Sequence, residues 1–448
     1  MRSIPAMDAL LSEEWTEPWL KQLGRGTVKR VFDAALAELR RRIAADEAPL
    51  APDAIRSALA DALARRAGRG LRRIINATGV VIHTNLGRSC LADEAVEAVR
   101  MTASRYGNLE YDVEEGTRGS RNSHVEDDVR ELTGAEAALV VNNNAGAVLL
   151  CLSALAHSTE VVVSRGELVE IGGAFRVPDI MAFSGALLVE VGTTNRTHLS
   201  DYEAAITDRT SMLLKVHPSN FRIIGFTSAP KREDMAALAH SRGLVMMEDA
   251  GSGLLVDGAD LGLSGEASVG ACIASGCDLV TFSGDKMLGG PQIGVIVGKK
   301  CLVDQLRNHP AARALRVDKM TLAAFAATAR LYRLGELDRV PTLAMLRRSG
   351  ESMEEQARRI ASAIGGVAVQ VEDAVGGGSH PEHPIPGWGA VLPCGGAGGA
   401  GRLLAALRSR STPILCGARG DAAVIHVRTL LPGDEEEVIA AFQRLVPN

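Results

Sequence analysis

The stretch Thr281–Gly294, TFSGDKMLGGPQIG, decides how this chain is read. An apolar strand runs into Ser283-Gly284-Asp285-Lys286 and then into a glycine-rich turn, Gly289-Gly290-Pro291. A lysine at the exit of a buried strand is costly to desolvate as a cation. It is therefore neutralised, paired or used covalently, unless it simply sits in solvent beyond the strand end. A lysine that attacks an aldehyde needs this placement, because a lowered pKa leaves its amine free.

Two upstream segments favour the covalent use. VMMEDAGSG, residues 245–253, is an apolar strand ending at Glu248-Asp249, about 37 residues before Lys286. A carboxylate there can pair with a protonated pyridine nitrogen and keep a pyridoxal ring electron-withdrawing. Further back, Val140-Val141 runs into Asn142-Asn143-Asn144-Ala145-Gly146-Ala147 and an apolar helix. Small residues at such a turn expose backbone N–H groups to an anion at the helix N-terminus. Each signal alone is common in purely structural settings. In this order they match the large domain of a fold-type I pyridoxal-phosphate enzyme.

The rest of the chain agrees with that frame. Its 448 residues suggest two to four domains. With 46% hydrophobic and 23% charged residues, disorder, collagen and small disulfide scaffolds are excluded for its bulk. Glycine is high at 47 and aromatics low at 3%, which predicts many tight turns and an aliphatic core. The seven cysteines include no C-x-x-C pair and the N-terminus lacks an apolar signal region, so a reduced cytoplasm is expected. No apolar run is long enough to span a bilayer, so no membrane is expected.

Short apolar runs alternate with helical patterns from about residue 74. Strands are expected at 138–141, 160–163, 186–191, 212–216, 244–247, 279–282 and 294–297, with helices such as 145–155, 202–206 and 231–240 between them. This predicts an α/β fold with a mainly parallel sheet over residues 74–320, whose ligands sit beyond the carboxyl ends of strands. Residues 321–448 read as a small α+β domain, with a helix at 354–364, strands near 387–392 and 423–428, and a last helix at 435–445.

Residues 1–73 read as helices. Val31, Phe32, Ala35, Leu36, Leu39 and Ile43 recur every three to four positions, and Ile55, Leu59 and Leu63 continue on another helix. Pro18 and Gly24–Gly26 are expected to break the first segment. Residues 21–73 hold thirteen basic against six acidic side chains, a surplus of seven in a chain whose net charge is −5. The surplus marks either a solvated face for assembly or a module that meets RNA phosphates. No RNA-binding signature occurs, so backbone and shape recognition is the expected mode.

Longer segments identify a family. They are RSIPAMDALL (2–11), INATGVVIHTNLGRS (75–89), YGNLEYDVEEGTRGSR (106–121), EVGTTNRTH (190–198), KVHPSNFRIIGFT (215–227), DAGSG (249–253), FSGDKMLGGPQIG (282–294) and RALRVDK (313–319). Together they resemble the bacterial selenocysteine synthases, the L-seryl-tRNA(Sec) selenium transferases, essentially end to end and including the basic N-terminal region. The resemblance implies conversion of L-seryl-tRNA(Sec) to L-selenocysteinyl-tRNA(Sec). The β-hydroxyl is eliminated to an aminoacrylate, and selenium from selenophosphate is added.

The same resemblance distributes roles. Lys286 carries pyridoxal phosphate as a Schiff base and takes the α-proton, and Asp249 pairs with the pyridine nitrogen. Asp285 tunes the lysine or helps the departing water. Asn144, Ala145, Gly146 and Ser283 hold the cofactor phosphate. His217 either stacks on the ring or is structural. Arg88, Arg121, Arg313 and Arg316 form an anion pocket for selenophosphate, since arginine offers fixed planar donors. An esterified serine needs no carboxylate-clamping arginine. The family further implies a homo-oligomer, a dimer at least and a larger ring, in which one subunit's N-terminal module presents tRNA to another's site.

Other features are expected to be silent. His380 and His383 read as loop residues and not as a metal pair, and Cys272 and Cys277 as buried residues with no selenium-handling role. Two rivals remain at this level: a pyridoxal-phosphate lyase or transferase for a small free substrate, and an RNA-binding protein with a vestigial cofactor site.

Overall fold

The structure is a computed structural model. It describes residues 6–44, 52–68, 70–171, 175–218, 220–221, 223–263, 265–377, 384–395 and 398–445, so His380 and His383 lie outside the described residues. The chain divides into two compact units, residues 1–75 with 407–413, and 76–406 with 414–448.

The first unit is helical. Short helices at Met7–Leu11 and Glu17–Leu23 precede α1 (Arg25–Ala44) and α2 (Pro52–Ala67). The three-to-four spacing puts Val28, Phe32, Leu36 and Leu39 of α1 on one buried stripe, with Ile55, Leu59 and Leu63 of α2 and Leu10 and Leu11. Pro18 does not break a helix, as its type had suggested. It occupies the first turn of Glu17–Leu23, where no N–H has to be donated. Gly24, at φ 76°, ends that helix. Lys29, Arg30 and Arg40 stand exposed on α1.

The second unit is built on seven strands: β1 (Ala137–Val141), β2 (Glu160–Ser164), β3 (Leu187–Val191), β4 (Thr210–Val216), β5 (Val245–Gly251), β6 (Leu279–Ser283) and β7 (Gly294–Gly298). Their order is β1-β7-β6-β5-β4-β2-β3. Only β7 runs antiparallel to its neighbours, so the sheet is mainly parallel, as expected. Helices on both faces bury alternate residues. Val140, Val162, Leu213 and Val280 enter one apolar cluster, while Leu139, Val161, Leu214 and Leu279 enter the other. Because β1, β5 and β6 are parallel, their carboxyl ends deliver Asn142–Gly146, Asp249 and Lys286 to one edge of the sheet. Strand β5 runs two residues past the expected end at Glu248-Asp249, to Gly251, and its pairing with β6 shifts between Asp249 and Gly251. Such an irregularity re-aims a side chain.

Beyond this sheet, helix α3 (Gly350–Ile364) packs on β8 (Val367–Ala374) and β9 (Pro384–Pro393), and these pair antiparallel with each other. Strands β10 (Ile414–Arg419) and β11 (Ala422–His426) lie beside them, giving four neighbouring strands of a five-stranded sheet in the order β10-β11-β9-β8. β8 and β10 were not anticipated, although Val367, Val369 and Val371 of β8 alternate with period two. Among the described residues no helix is long and apolar enough to cross a membrane.

Candidate functional site

Lys286 follows β6 by three residues, and the turn around it is pinned by backbone hydrogen bonds. Gly284 N donates to Ile293 O (2.8 Å), Gly290 N to Gly284 O (2.8 Å), and Met287 N to Ser252 O (3.0 Å). Ser89 Oγ donates to Lys286 O at 2.6 Å. Gly284 has no room for a side chain, since a Cβ would lie 2.4 Å from Ile293 Cγ2. Lys286 is 5% exposed. Burial pushes its amine below the ordinary lysine value and Arg88 adds to that, while Asp249, Asp285 and Glu266 oppose it.

Asp249 is buried beneath the same edge. Its Oδ1 accepts from Asn144 Nδ2 (2.8 Å), from Gly251 N (3.1 Å) and from Thr281 Oγ1 (3.4 Å). Burial raises its carboxyl, against the hydrogen bond from Asn144 and the charge of Lys286. His217 is anchored to it through the main chain, His217 N to Asp249 O at 2.9 Å.

The turn after β1 is capped by Asn143, whose side chain accepts from Gly146 N at 2.8 Å. The amides of Asn144 and Ala145 therefore remain as first-turn donors without an intrahelical acceptor. Gly294 of β7 lets this turn lie against the sheet, because a Cβ there would fall 2.2 Å from Asn143 O. Ser283, 6% exposed, ends β6 beside it.

The four candidate arginines divide. Arg88 joins the lysine: its Nη1 donates to Asp285 Oδ2 at 2.6 Å, and Asp285 is 7% exposed. Arg121, Arg313 and Arg316 instead line a separate open cleft with Arg118, Arg307 and Glu110. That cleft adjoins the Asn142–Gly146 turn, since Asn142 N donates to Leu315 O at 2.9 Å and Gly146 packs toward Leu315.

Three polar residues were not singled out from the sequence. Glu110 sits among the arginines, Glu266 is buried 4.0 Å from His217 Nε2, and Ser252 Oγ donates to Glu266 Oε1. Only Ser252 adjoins a motif strand; Glu266 lies in an irregular loop where spacing carries no signal. Cys272 and Cys277 are both buried, and burial pushes the Cys272 thiol up to about 12, which keeps it protonated. Among the described residues no cluster of metal-ligating side chains occurs.

These residues fit pyridoxal phosphate. The lysine is buried with a depressed pKa, a carboxylate lies at its strand edge, and an anion-ready helix start faces them. Asn144 Oδ1 is moreover buried with no hydrogen-bond partner among the described residues, a sign of a polar group awaiting one.

Comparison with known proteins agrees. The family described as L-seryl-tRNA selenium transferase matches residues 74–431, and the family described as selenocysteine synthase N terminal matches residues 1–40. The L-seryl-tRNA(Sec) selenium transferase of Geobacter sulfurreducens is 46% identical, over 99% of this chain and 98% of its own length. That of Moorella thermoacetica is 47% identical over 99% and 96%, and that of Rhizobium meliloti 46% over 98% and 96%. Among solved structures, a D-glucosaminate-6-phosphate ammonia-lyase shares the fold at TM-score 0.59 and 20% identity, covering 84% of this chain and 96% of that one. The match over both regions, at this identity and nearly full length, places the chain in the L-seryl-tRNA(Sec) selenium transferase family.

Proposed function

We infer that this protein performs the reaction of its family, converting L-seryl-tRNA(Sec) to L-selenocysteinyl-tRNA(Sec), with pyridoxal phosphate as cofactor. Selenophosphate is the donor in this reading. Selenium replaces the seryl β-oxygen and inorganic phosphate is released, so atoms and charge balance.

When bound, the cofactor supplies an electron sink for the bond broken at the seryl α-carbon. Lys286 Nζ would hold its aldehyde carbon, and Asp249 would keep the pyridine nitrogen protonated. The amides of Asn144 and Ala145 with the Ser283 hydroxyl hold its phosphate. Gly146 serves by having no side chain, because its amide is taken by Asn143. His217, held to Asp249 through the main chain, would stack on the ring. Lys286 Nζ would also serve as the base for the seryl α-proton, and its lowered pKa favours the unprotonated amine that this role needs. Asp285, steadied by Arg88, lies next to Lys286, where it tunes the lysine or assists the departing water. Arg121, Arg313 and Arg316 bind the phosphate group of selenophosphate.

The exposed cations of α1 and α2 neutralise tRNA phosphates. Exposed Tyr106, Tyr111 and Val113 near the arginine cleft support burial against another subunit, in a homo-oligomer of at least two chains that extends to a ring. The setting is the cytoplasm.

The observation that carries this reading is Lys286: buried, with a lowered pKa, at the sheet edge shared with Asp249. The test is conversion of radiolabelled seryl-tRNA(Sec) by the holoenzyme with selenophosphate. Labelled selenocysteine released on deacylation is expected. Equal turnover of free serine would favour a small-substrate enzyme instead.

A further inference from the structure

The arginine cleft already contains an anion of its own. Glu110 Oε1 accepts from Arg121 Nη2 at 2.5 Å and Nε at 3.0 Å, and from Arg316 Nη1 at 3.2 Å. Its Oε2 faces Arg118 Nη2 at 3.4 Å. Arg313 lines the same cleft, and no ion pair of Arg313 occurs among the described residues. Arg307, the remaining arginine, is committed elsewhere, to Glu126, Asp304 and the carbonyl of Ala138. One carboxylate thus faces three guanidinium groups, with Arg313 lining the same cleft.

We propose that Glu110 is a displaceable internal counter-anion. It occupies the guanidinium fork that the donor's phosphate group takes, and so restricts the cleft to anions of at least two charges. The proposal rests on the reading of this cleft as the donor site.

Several observations support it. Like charges this close repel, so the arginines need a resident anion to stay gathered while the cleft is empty. Hydrogen bonding and charge from Arg121 hold the Glu110 carboxyl below the usual carboxylate range, so it stays ionised at working pH. Its side chain is 30% exposed, so water can receive the carboxylate when it leaves. A monoanion brings no more charge than Glu110 and lacks the advantage of being tethered nearby. A dianion with three oxygens brings more charge-assisted hydrogen bonds and can win.

The test is calorimetric titration of the holoenzyme, whose cofactor-phosphate site is filled, with inorganic phosphate at pH 8. Wild type, Glu110→Gln and Arg313→Ala are compared with and without chloride. Glu110→Gln is expected to bind phosphate about tenfold more tightly, and chloride should compete in this variant but not in wild type. Glu110→Asp, whose carboxylate is withdrawn by one methylene, should shift the same way by less, which guards against a folding defect in the glutamine variant. Unchanged or weaker phosphate binding in both variants, at an unchanged unfolding midpoint, would overturn the counter-anion role. The underlying reading fails differently: phosphate that binds wild type and Arg313→Ala equally is not bound in this cleft.

Discussion

Arg88 Nη1 lies 2.6 Å from Asp285 Oδ2, and Asp285 is the residue immediately before Lys286. Arg88 reaches it from a left-handed backbone conformation, φ 62°, that non-glycine residues rarely adopt. The two act oppositely on Lys286: Arg88 lowers its pKa and Asp285 raises it. They oppose one another, and burial is the largest influence on the lysine.

Arg88→Ala should therefore do more than remove a donor. It leaves Asp285 as a nearly buried unpaired carboxylate and should destabilise the protein by about 3 kcal/mol. Without Arg88 and with Asp285 unopposed, the Lys286 pKa should rise. Urea denaturation and the pH dependence of cofactor uptake check the two effects. A variant with wild-type stability and an unchanged pH profile would contradict the pairing.

Asp249→Asn should separate stability from activity. Burial raises the folded-state pKa of Asp249 above its unfolded value, so the fold disfavours the ionised form, and the penalty grows as pH rises through that folded value. Cofactor-free Asp249→Asn should be at least as stable as wild type at pH 8, with the difference shrinking toward acid pH. Activity should fall roughly a hundredfold or more as the pyridine nitrogen loses its partner. Thermal unfolding of the cofactor-free proteins and turnover of the loaded ones measure this.

The depressed Lys286 pKa makes a direct pH prediction. Only the unprotonated amine attacks an aldehyde, and that form dominates above the pKa. The rate of pyridoxal-phosphate uptake by cofactor-free protein should rise with pH and reach half its maximum below 10.5, the ordinary lysine value. A midpoint at that ordinary value would mean a solvated lysine.

Gly294→Ala tests the backbone cradle. The added methyl would fall 2.2 Å from Asn143 O and 2.8 Å from Asn144 N, so the turn must move. Cofactor affinity should drop at least about tenfold while the sheet survives, because the displaced groups are the phosphate donors. Equilibrium dialysis of pyridoxal phosphate, alongside circular dichroism, reads both.

Reversing Lys29, Arg30 and Arg40 to glutamate should weaken tRNA binding and flatten its salt dependence by about three in the log–log slope, one for each lost phosphate contact. Binding that keeps its slope would place the tRNA elsewhere.

Much of the fold was legible because its strands are short apolar runs at fixed intervals. β1, β6 and β7 appeared within a residue of their observed limits. Strand β5 carries Glu248 and Asp249, as the VMMEDAGSG motif had suggested, and runs on to Gly251 because those carboxylates are buried and partnered, Glu248 by Arg232 and Asp249 by Asn144. Pro18 was misread because a proline that starts a helix looks locally like one that ends it. At the site, Lys286, Asp249 and the Asn-rich turn stood out because each interrupts an apolar run. Glu110 and Glu266 did not, since their meaning depends on partners far away in the chain. The four arginines looked alike in sequence; only tertiary placement divides Arg88 from Arg121, Arg313 and Arg316.

The most direct test of Lys286 as the cofactor-bearing lysine of a tRNA-dependent enzyme is the visible spectrum of the purified protein, recorded with seryl-tRNA(Sec) and then with free serine. A yellow band from lysine-bound pyridoxal phosphate should shift with the charged tRNA and stay unmoved by serine. An equal shift with free serine would contradict the tRNA-dependent assignment, and no band after added pyridoxal phosphate would contradict the role of Lys286 itself.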